Sequence, residues 1–276
     1  MGWQGHLDLH YRHDGNRTTA LDRHHGPLRV LQRLYPEGEA VCHHVLVHPP
    51  GGIVGGDELA LSARLEPGSH ALITTPGATR FYRSNGPLAQ QTVQAELADG
   101  ARLEWLPLEA IAYPGCRVEN RLRFTLAPTA QMIGLDVLAL GLPAAGEAFE
   151  RGVVTQQIEL PGVWLERGRI AGDDRLLRES PLGLAGHTVL GTLWLADGAP
   201  LARGTREALL DEARALIDGH TLARTAGVTA PDESLLVLRV LGDRVEPVIA
   251  LLHAVWAAWR LRHWQLAPCA PRVWRT

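Results

Sequence analysis

The stretch VQAELADGARLEW, residues 93–105, alternates apolar and polar side chains on both sides of an Asp-Gly pair. Successive side chains of a strand point to opposite faces, so Val93, Ala95 and Leu97 share one face while Gln94 and Glu96 share the other. Asp99-Gly100 is a two-residue turn signal, because glycine reaches the positive φ that tight turns demand. The spacing predicts a β-hairpin in which Val93, Ala95 and Leu97 face Leu103 and Trp105.

The same rhythm extends outward from residue 55 to about residue 200. Leu59, Leu61, Ala63 and Leu65 alternate before Pro67-Gly68, and Pro161-Gly162 and Asp197-Gly198 punctuate later runs. This is the pattern of antiparallel β-structure. Two segments switch to a helical period. Leu209, Leu210, Ala213, Leu216 and Ile217 form one stripe over residues 206–217, with Thr205 as the expected N-cap. A second helix starts at Glu246-Pro247, a proline suited to a first turn, and carries Ile249, Leu252, His253, Trp256 and Trp259 to about Trp264. Residues 235–241 read as a strand between them. The expected fold is mainly β, a single β-helix-like or stacked-sheet domain over residues 1–276 with two α-helices in the C-terminal third.

The chain has 276 residues, 46% hydrophobic and 21% charged, enough for a substantial core. A net charge of -3, with 27 arginines scattered and no lysine, gives no general attraction to phosphate backbones, so nucleic acid is not an expected partner. No run approaches the ~20 apolar residues of a membrane span, and residues 1–15 lack the apolar stretch of a signal peptide, which predicts a cytoplasmic location. Cys42, Cys116 and Cys269 are too far apart for a Cys-x-x-Cys clamp and odd in number, as expected of reduced thiols.

Four motifs carry candidate chemistry. HPPGGIVGGD, residues 48–57, has the glycines of a phosphate loop but ends in Asp57 where Gly-Lys-Ser/Thr would be needed. It either brings His48 and Asp57 to a partner or a metal path, or permits a tight bulge. TTPGATRFYRS, residues 74–84, alternates cations and aromatics at Arg80, Phe81, Tyr82 and Arg83, which suits a partner-binding strip or a solvated edge strand.

Glu104, Glu109, Asp136 and Glu147 are acids set in apolar segments. They either line a hydrated passage for a divalent cation or pair with arginines such as Arg102 or Arg123. Eight histidines fall in the first fifth of the chain, but in a strand His43 and His44 point to opposite faces and no His-x-x-x-His pair occurs. A metal-dependent hydrolase using these N-terminal histidines is the alternative reading, and a carbohydrate-binding β-domain with exposed tryptophans a further one. Neither a nucleophile beside a base nor a three-ligand metal site can be assembled, so no catalytic residue is assigned.

In order along the chain, HPPGGIVGGD, TTPGATRFYRS, LEWLPLEAI (103–111), AAGEAFERG (144–152), ESLLVLRVLG (233–242) and PRVWRT (271–276) resemble the signature of the UreD-type urease accessory proteins. Residues 3–38 look like that family's usual start. The resemblance implies a β-helix-like fold with two helices, and a non-enzymatic scaffold between apo-urease, UreF and the nickel-carrying GTPase UreG. It also implies an internal passage with nickel in transit and no tightly bound cofactor. Carried over by position, the passage candidates are Asp57, Glu104, Glu109 and Glu147. Asp136 joins them where the family usually has Trp-Glu in place of Leu135-Asp136. His48 is a possible transient metal contact.

Overall fold

The structure, a computed structural model, describes residues 2–275. Its elements in chain order are β1 (Gln4–Asp14), β2 (Arg17–His25), β3 (Arg29–Leu34), β4 (Val41–Val47), β5 (Glu58–Leu65), β6 (His70–Thr74), β7 (Thr79–Phe81), β8 (Ala89–Leu97) and β9 (Arg102–Leu106). There follow β10 (Ala110–Ala112), β11 (Arg117–Leu126), β12 (Gln131–Leu140), β13 (Val153–Leu160), β14 (Trp164–Ala171), α1 (Arg175–Glu179), β15 (Val189–Asp197), α2 (Arg203–Asp218), β16 (Ala226–Asp232), β17 (Leu235–Gly242) and α3 (Val245–Trp264).

Two sheets stack face to face. Sheet A runs β14-β13-β11-β8-β5-β1-β2 and sheet B runs β16-β17-β15-β12-β9-β6-β4-β3, with β7 and β10 attached beside β12. The centre of each sheet is parallel: β5, β8, β11 and β13 in sheet A, and β4, β6, β9 and β12 in sheet B. The chain winds alternately through the two sheets as a β-solenoid does, and antiparallel pairs close the ends.

The hairpin expected at Asp99-Gly100 is therefore not formed. β8 pairs with β5 and β11, β9 pairs with β6 and β12, and Asp99-Gly100 is a corner that carries the chain from one sheet to the other. Gly100 does adopt φ +69°, the conformation a tight turn demands, but the turn joins two sheets rather than two neighbouring strands. Corners stack as the strands do: the Gly68 N–H donates to the Asp99 carbonyl at 3.1 Å, and the Thr129 hydroxyl donates to the Asp99 carboxylate at 2.9 Å. A period of two reports one buried face and is blind to strand direction, which is why an antiparallel sheet was expected where the strands are parallel. Of the four turn dipeptides quoted from the sequence, Pro161-Gly162 alone closes a hairpin, with Leu160 opposite Trp164.

Sheet A turns its polar face outward, while sheet B is covered on both sides. Its inner face joins sheet A around Leu103, Trp105, Phe124 and Trp194; its outer face takes α2 and α3. Trp256 and Trp259 are buried there, as the helical stripe required. Helix α2 begins three residues earlier than its apolar stripe, so its N-cap is Ala202 and Thr205 lies inside the first turn. The sequence pattern leaves several elements unassigned, among them β1, β2 and β3, the edge strand β16, which contains Pro231 where proline is tolerated, and the five-residue α1. No helix among the described residues is long and apolar enough to cross a membrane.

Candidate functional site

Parallel stacking places residues of successive coils at one level, and one level of the interior is polar in both sheets. On sheet A, Gln91, Asn120 and Gln156 are register partners. The level on one side is Ala89, Val118 and Val154, and on the other Val93, Leu122 and Ile158. On sheet B, Asp136, Thr192 and Arg239 are register partners between the apolar levels Leu138, Leu190, Leu241 and Gly134, Trp194, Val237. All of these face inward, because their neighbours two residues away belong to the inter-sheet cores.

Polar groups turned inward need partners, and these find them along and across the rung. Gln91 Nε2 donates to Asn120 Oδ1 at 3.2 Å within sheet A. Gln156 Nε2 spans the gap to Asp136 Oδ2, and Arg239 spans it to Glu166 on β14. Beside the rung lies a cavity of about 290 Å³, room for several waters. Leu46, Leu61, Trp105 and Leu122 form part of its wall, and Gln91, Asn120 and Asp136 line its inner part. Asp136 keeps accessible surface although it sits deep in the fold, because that surface faces the cavity. Burial pushes its carboxyl up to about 6; the Gln156 hydrogen bond opposes the rise and the neighbouring Glu166 charge adds to it.

The mouth is built by the two glycine motifs together. The Ile53 N–H donates to the Arg80 carbonyl at 2.7 Å and the Tyr82 N–H returns a bond to the Ile53 carbonyl at 2.9 Å. A Cβ at Gly52 would lie 2.1 Å from the Tyr82 ring and one at Gly55 2.0 Å from Ser84 Oγ, so glycine is what lets the lips close. His48 lines the cavity here. Its Nε2 is buried without a hydrogen-bond partner among the described residues, and burial lowers its pKa against the opposing charge of Asp57.

The acids singled out in the sequence occupy four different environments. Asp57 is buried in the loop, its carboxylate accepting the N–H groups of Trp3 at 2.8 Å and Val54 at 2.9 Å. Glu104 points to the opposite face of sheet B from Asp136. There it is fully buried under α3 and paired with Arg260, neither Arg102 nor Arg123 being its partner. Glu109 is half-buried beside β10, and Glu147 is exposed in the turn after Gly146. Only Asp136 stands on the cavity wall. In the strip 80–83, Arg80 and Arg83 are exposed, Tyr82 is partly buried against Tyr113, and Phe81 is 1% exposed in the core and so unavailable to a partner.

The N-terminal histidines are also dispersed. His6 bonds Asp8, His10 lies beside Glu66, His43 bonds Glu37 and His44 bonds Tyr11. Among the described residues no three His, Cys, Asp or Glu side chains converge on a metal position. What sequence reasoning missed is the rung itself. Its signal was present: β8, β11 and β13 each place an amide at a position whose alternation calls for an apolar residue, in Ala89-x-Gln91-x-Val93, Val118-x-Asn120-x-Leu122 and Val154-x-Gln156-x-Ile158.

Residues 4–275 match the family described as UreD urease accessory protein. The chain is 64% identical to a urease accessory protein UreD of Leptothrix cholodnii, with all of both chains covered. It is 57% identical to one of Variovorax paradoxus, again with full coverage, and 56% identical over 99% of both chains to one of Paracidovorax citrulli. With a family match from end to end and relatives of this similarity, the chain belongs to the UreD family of urease accessory proteins.

Proposed function

We propose that this chain is a urease maturation factor that stands between apo-urease and the accessory proteins UreF and UreG in the cytoplasm, and that nickel crosses it along the polar rung. The observation that carries the reading is the alignment of Gln91, Asn120, Gln156 and Asp136 beside an internal cavity, between apolar levels on either side. Folding gains nothing from such a row that leucines would not supply, since each buried amide must first recover the hydrogen bonds it loses from water.

A cation on its way through needs ligands that release it. Amide oxygens and one carboxylate stabilise a hydrated divalent ion without forming the closed set of thiolates and imidazoles that would retain it. His48 at the mouth offers a nitrogen ligand, in its neutral form, where an ion would enter. The chain turns nothing over; GTP hydrolysis belongs to UreG, and nickel is cargo.

The test is reconstitution with urease subunits, UreF and UreG, followed by co-purification and measurement of urease nickel content and activity. Asp136→Ala and Gln156→Ala are expected to leave the complex assembled and to depress nickel loading severely. Full loading by a Asp136→Ala/Gln156→Ala double variant would remove the rung from the route.

A further inference from the structure

Past Asp136 the interior is crossed by two links in series. The first is the Gln156–Asp136 hydrogen bond; the second is the ion pair between Arg239 of β17 and Glu166 of β14, at the margin of the sandwich. Arg239 belongs to the same rung as Asp136, two strands further out through Thr192, a backbone separation of about 10 Å. At the end of that rung both sheets carry glycine. Gly168 is the register partner of Gln156 and Gly227 the register partner of Arg239, and a Cβ placed at either would meet nothing within 4 Å. The rung thus ends at the edge strands in two exposed glycines with open space beside them, and the Arg239 guanidinium bridges the two sheets just inside that edge.

A fixed positive charge is the group least suited to structural duty at the outlet of a cation path, and its setting is not that of a buried clamp. Arg239 is 57% exposed and Glu166 31% exposed, so the guanidinium is free to rotate outward while its partner remains at the portal. Glu166 is half-buried, its pKa raised by burial against the lowering charge of Arg239.

We propose that Arg239 is an electrostatic plug on the outlet of the nickel route, held across the portal by Glu166, and that its outward swing hands Glu166 to the departing divalent cation as its last ligand. This rests on the reading of the rung as the route. While the pair is closed, Arg239 repels an ion waiting at Asp136 and Glu166 is neutralised. When Arg239 turns out, the repulsion is lifted and a carboxylate is exposed in one movement.

The test uses the reconstituted complex with apo-urease, supplied with nickel ion and read by the initial rate of activation, with and without the chelator nitrilotriacetate. Glu166→Gln keeps an acceptor that holds the guanidinium across the portal but removes its counter-charge and the departing ion's carboxylate ligand, and is expected to slow activation by about tenfold or more, as like charges at this range repel strongly outside bulk water. Arg239→Gln is expected not to slow it, but to make nickel delivery more sensitive to the chelator than in the native complex. Arg239→Lys keeps the charge and the native behaviour. The Glu166→Gln/Arg239→Gln double variant removes the repulsion but not the loss of the last ligand, and is expected to recover much of the rate lost in Glu166→Gln alone.

Equal slowing by the two single variants, with no recovery in the double, would mean that the pair only ties the sheets together. Native rates in all of them while Asp136→Asn slows activation would place the outlet elsewhere. If Asp136→Asn is also without effect, the route itself fails and the plug with it.

Discussion

Glu104 and Arg260, 156 residues apart in the chain, meet in the interior with the arginine Nε donating to the carboxylate at 3.1 Å and neither side chain reaching solvent. His70 Nε2 lies 2.8 Å from the same carboxylate and Trp256 Nε1 donates to it at 2.7 Å, while Arg260 also donates to Glu37 and to the Ala267 carbonyl. One buried network therefore fastens α3, β6, β9, the turn before β4 and the C-terminal tail. A buried charge survives only with its partners, so this cluster specifies where α3 sits more than it adds net stability.

Removing one member should be costly. Glu104→Ala leaves a guanidinium buried without its carboxylate and is expected to destabilise the fold by about 3–5 kcal/mol in urea unfolding. Glu104→Ala/Arg260→Met should lose less than the two single changes summed, because the second removes the stranded charge. Burial alone would raise the Glu104 pKa, yet the His70 hydrogen bond and the charges of His70 and Arg260 outweigh it and hold it below the usual range. A lowered folded pKa means stability that is present above the unfolded carboxylate pKa and lost as pH falls through the folded one, so the native-minus-variant difference should shrink only in acid. Poor urease activation by Glu104→Ala would accordingly be read with its unfolding curve beside it.

Substitutions at Asp57 distinguish a carboxylate that closes the loop from one that serves the cargo. Its two oxygens satisfy the N–H groups of Trp3 and Val54, closing the loop that forms one lip of the cavity. Asp57→Ala is expected to cost about 2 kcal/mol or more and to expose residues 48–56 to limited proteolysis, since buried donors are left without acceptors. Asp57→Asn retains one acceptor and should be milder. An Asn variant with native stability and native protease resistance that nevertheless fails to load nickel would assign the charge, and not the loop, to the cargo.

The mainly β character, both long helices and β17 were legible because one-faced burial imposes periods of two and 3.6 whatever the topology. Strand direction was not, since Asp99-Gly100 serves a corner as well as a hairpin. The acids stood out singly, but only stacking separates Asp136 on the inner face of β12 from Glu104 on the outer face of β9. Gln91, Asn120 and Gln156 looked like unremarkable polar residues until register aligned them. Glu166 and Arg239, 73 residues apart on different sheets, left no local trace of their pairing.

Asp136 should show the opposite linkage from Glu104. Its pKa is raised by burial to about 6, against an ordinary aspartate value of 3.8, so the native state holds its proton more tightly than the unfolded chain does. Stability from this group is full below the unfolded value and declines as pH rises to about 6, leaving an ionised, poorly compensated carboxylate at neutral pH. Asp136→Asn keeps an acceptor for Gln156 and removes that charge. It is expected to be more stable than the native chain at pH 7, by up to about 3 kcal/mol, with the advantage gone near pH 4. Nickel loading should run the other way: in the native complex it falls as pH drops through about 6, and in Asp136→Asn it is low and flat throughout. Urea unfolding and activation rates over the same pH series measure both arms. A less stable Asn variant, or native loading with an unshifted pH profile, would show that the carboxylate is held there for the fold; the expected divergence would show that the fold tolerates its cost for the sake of the ion.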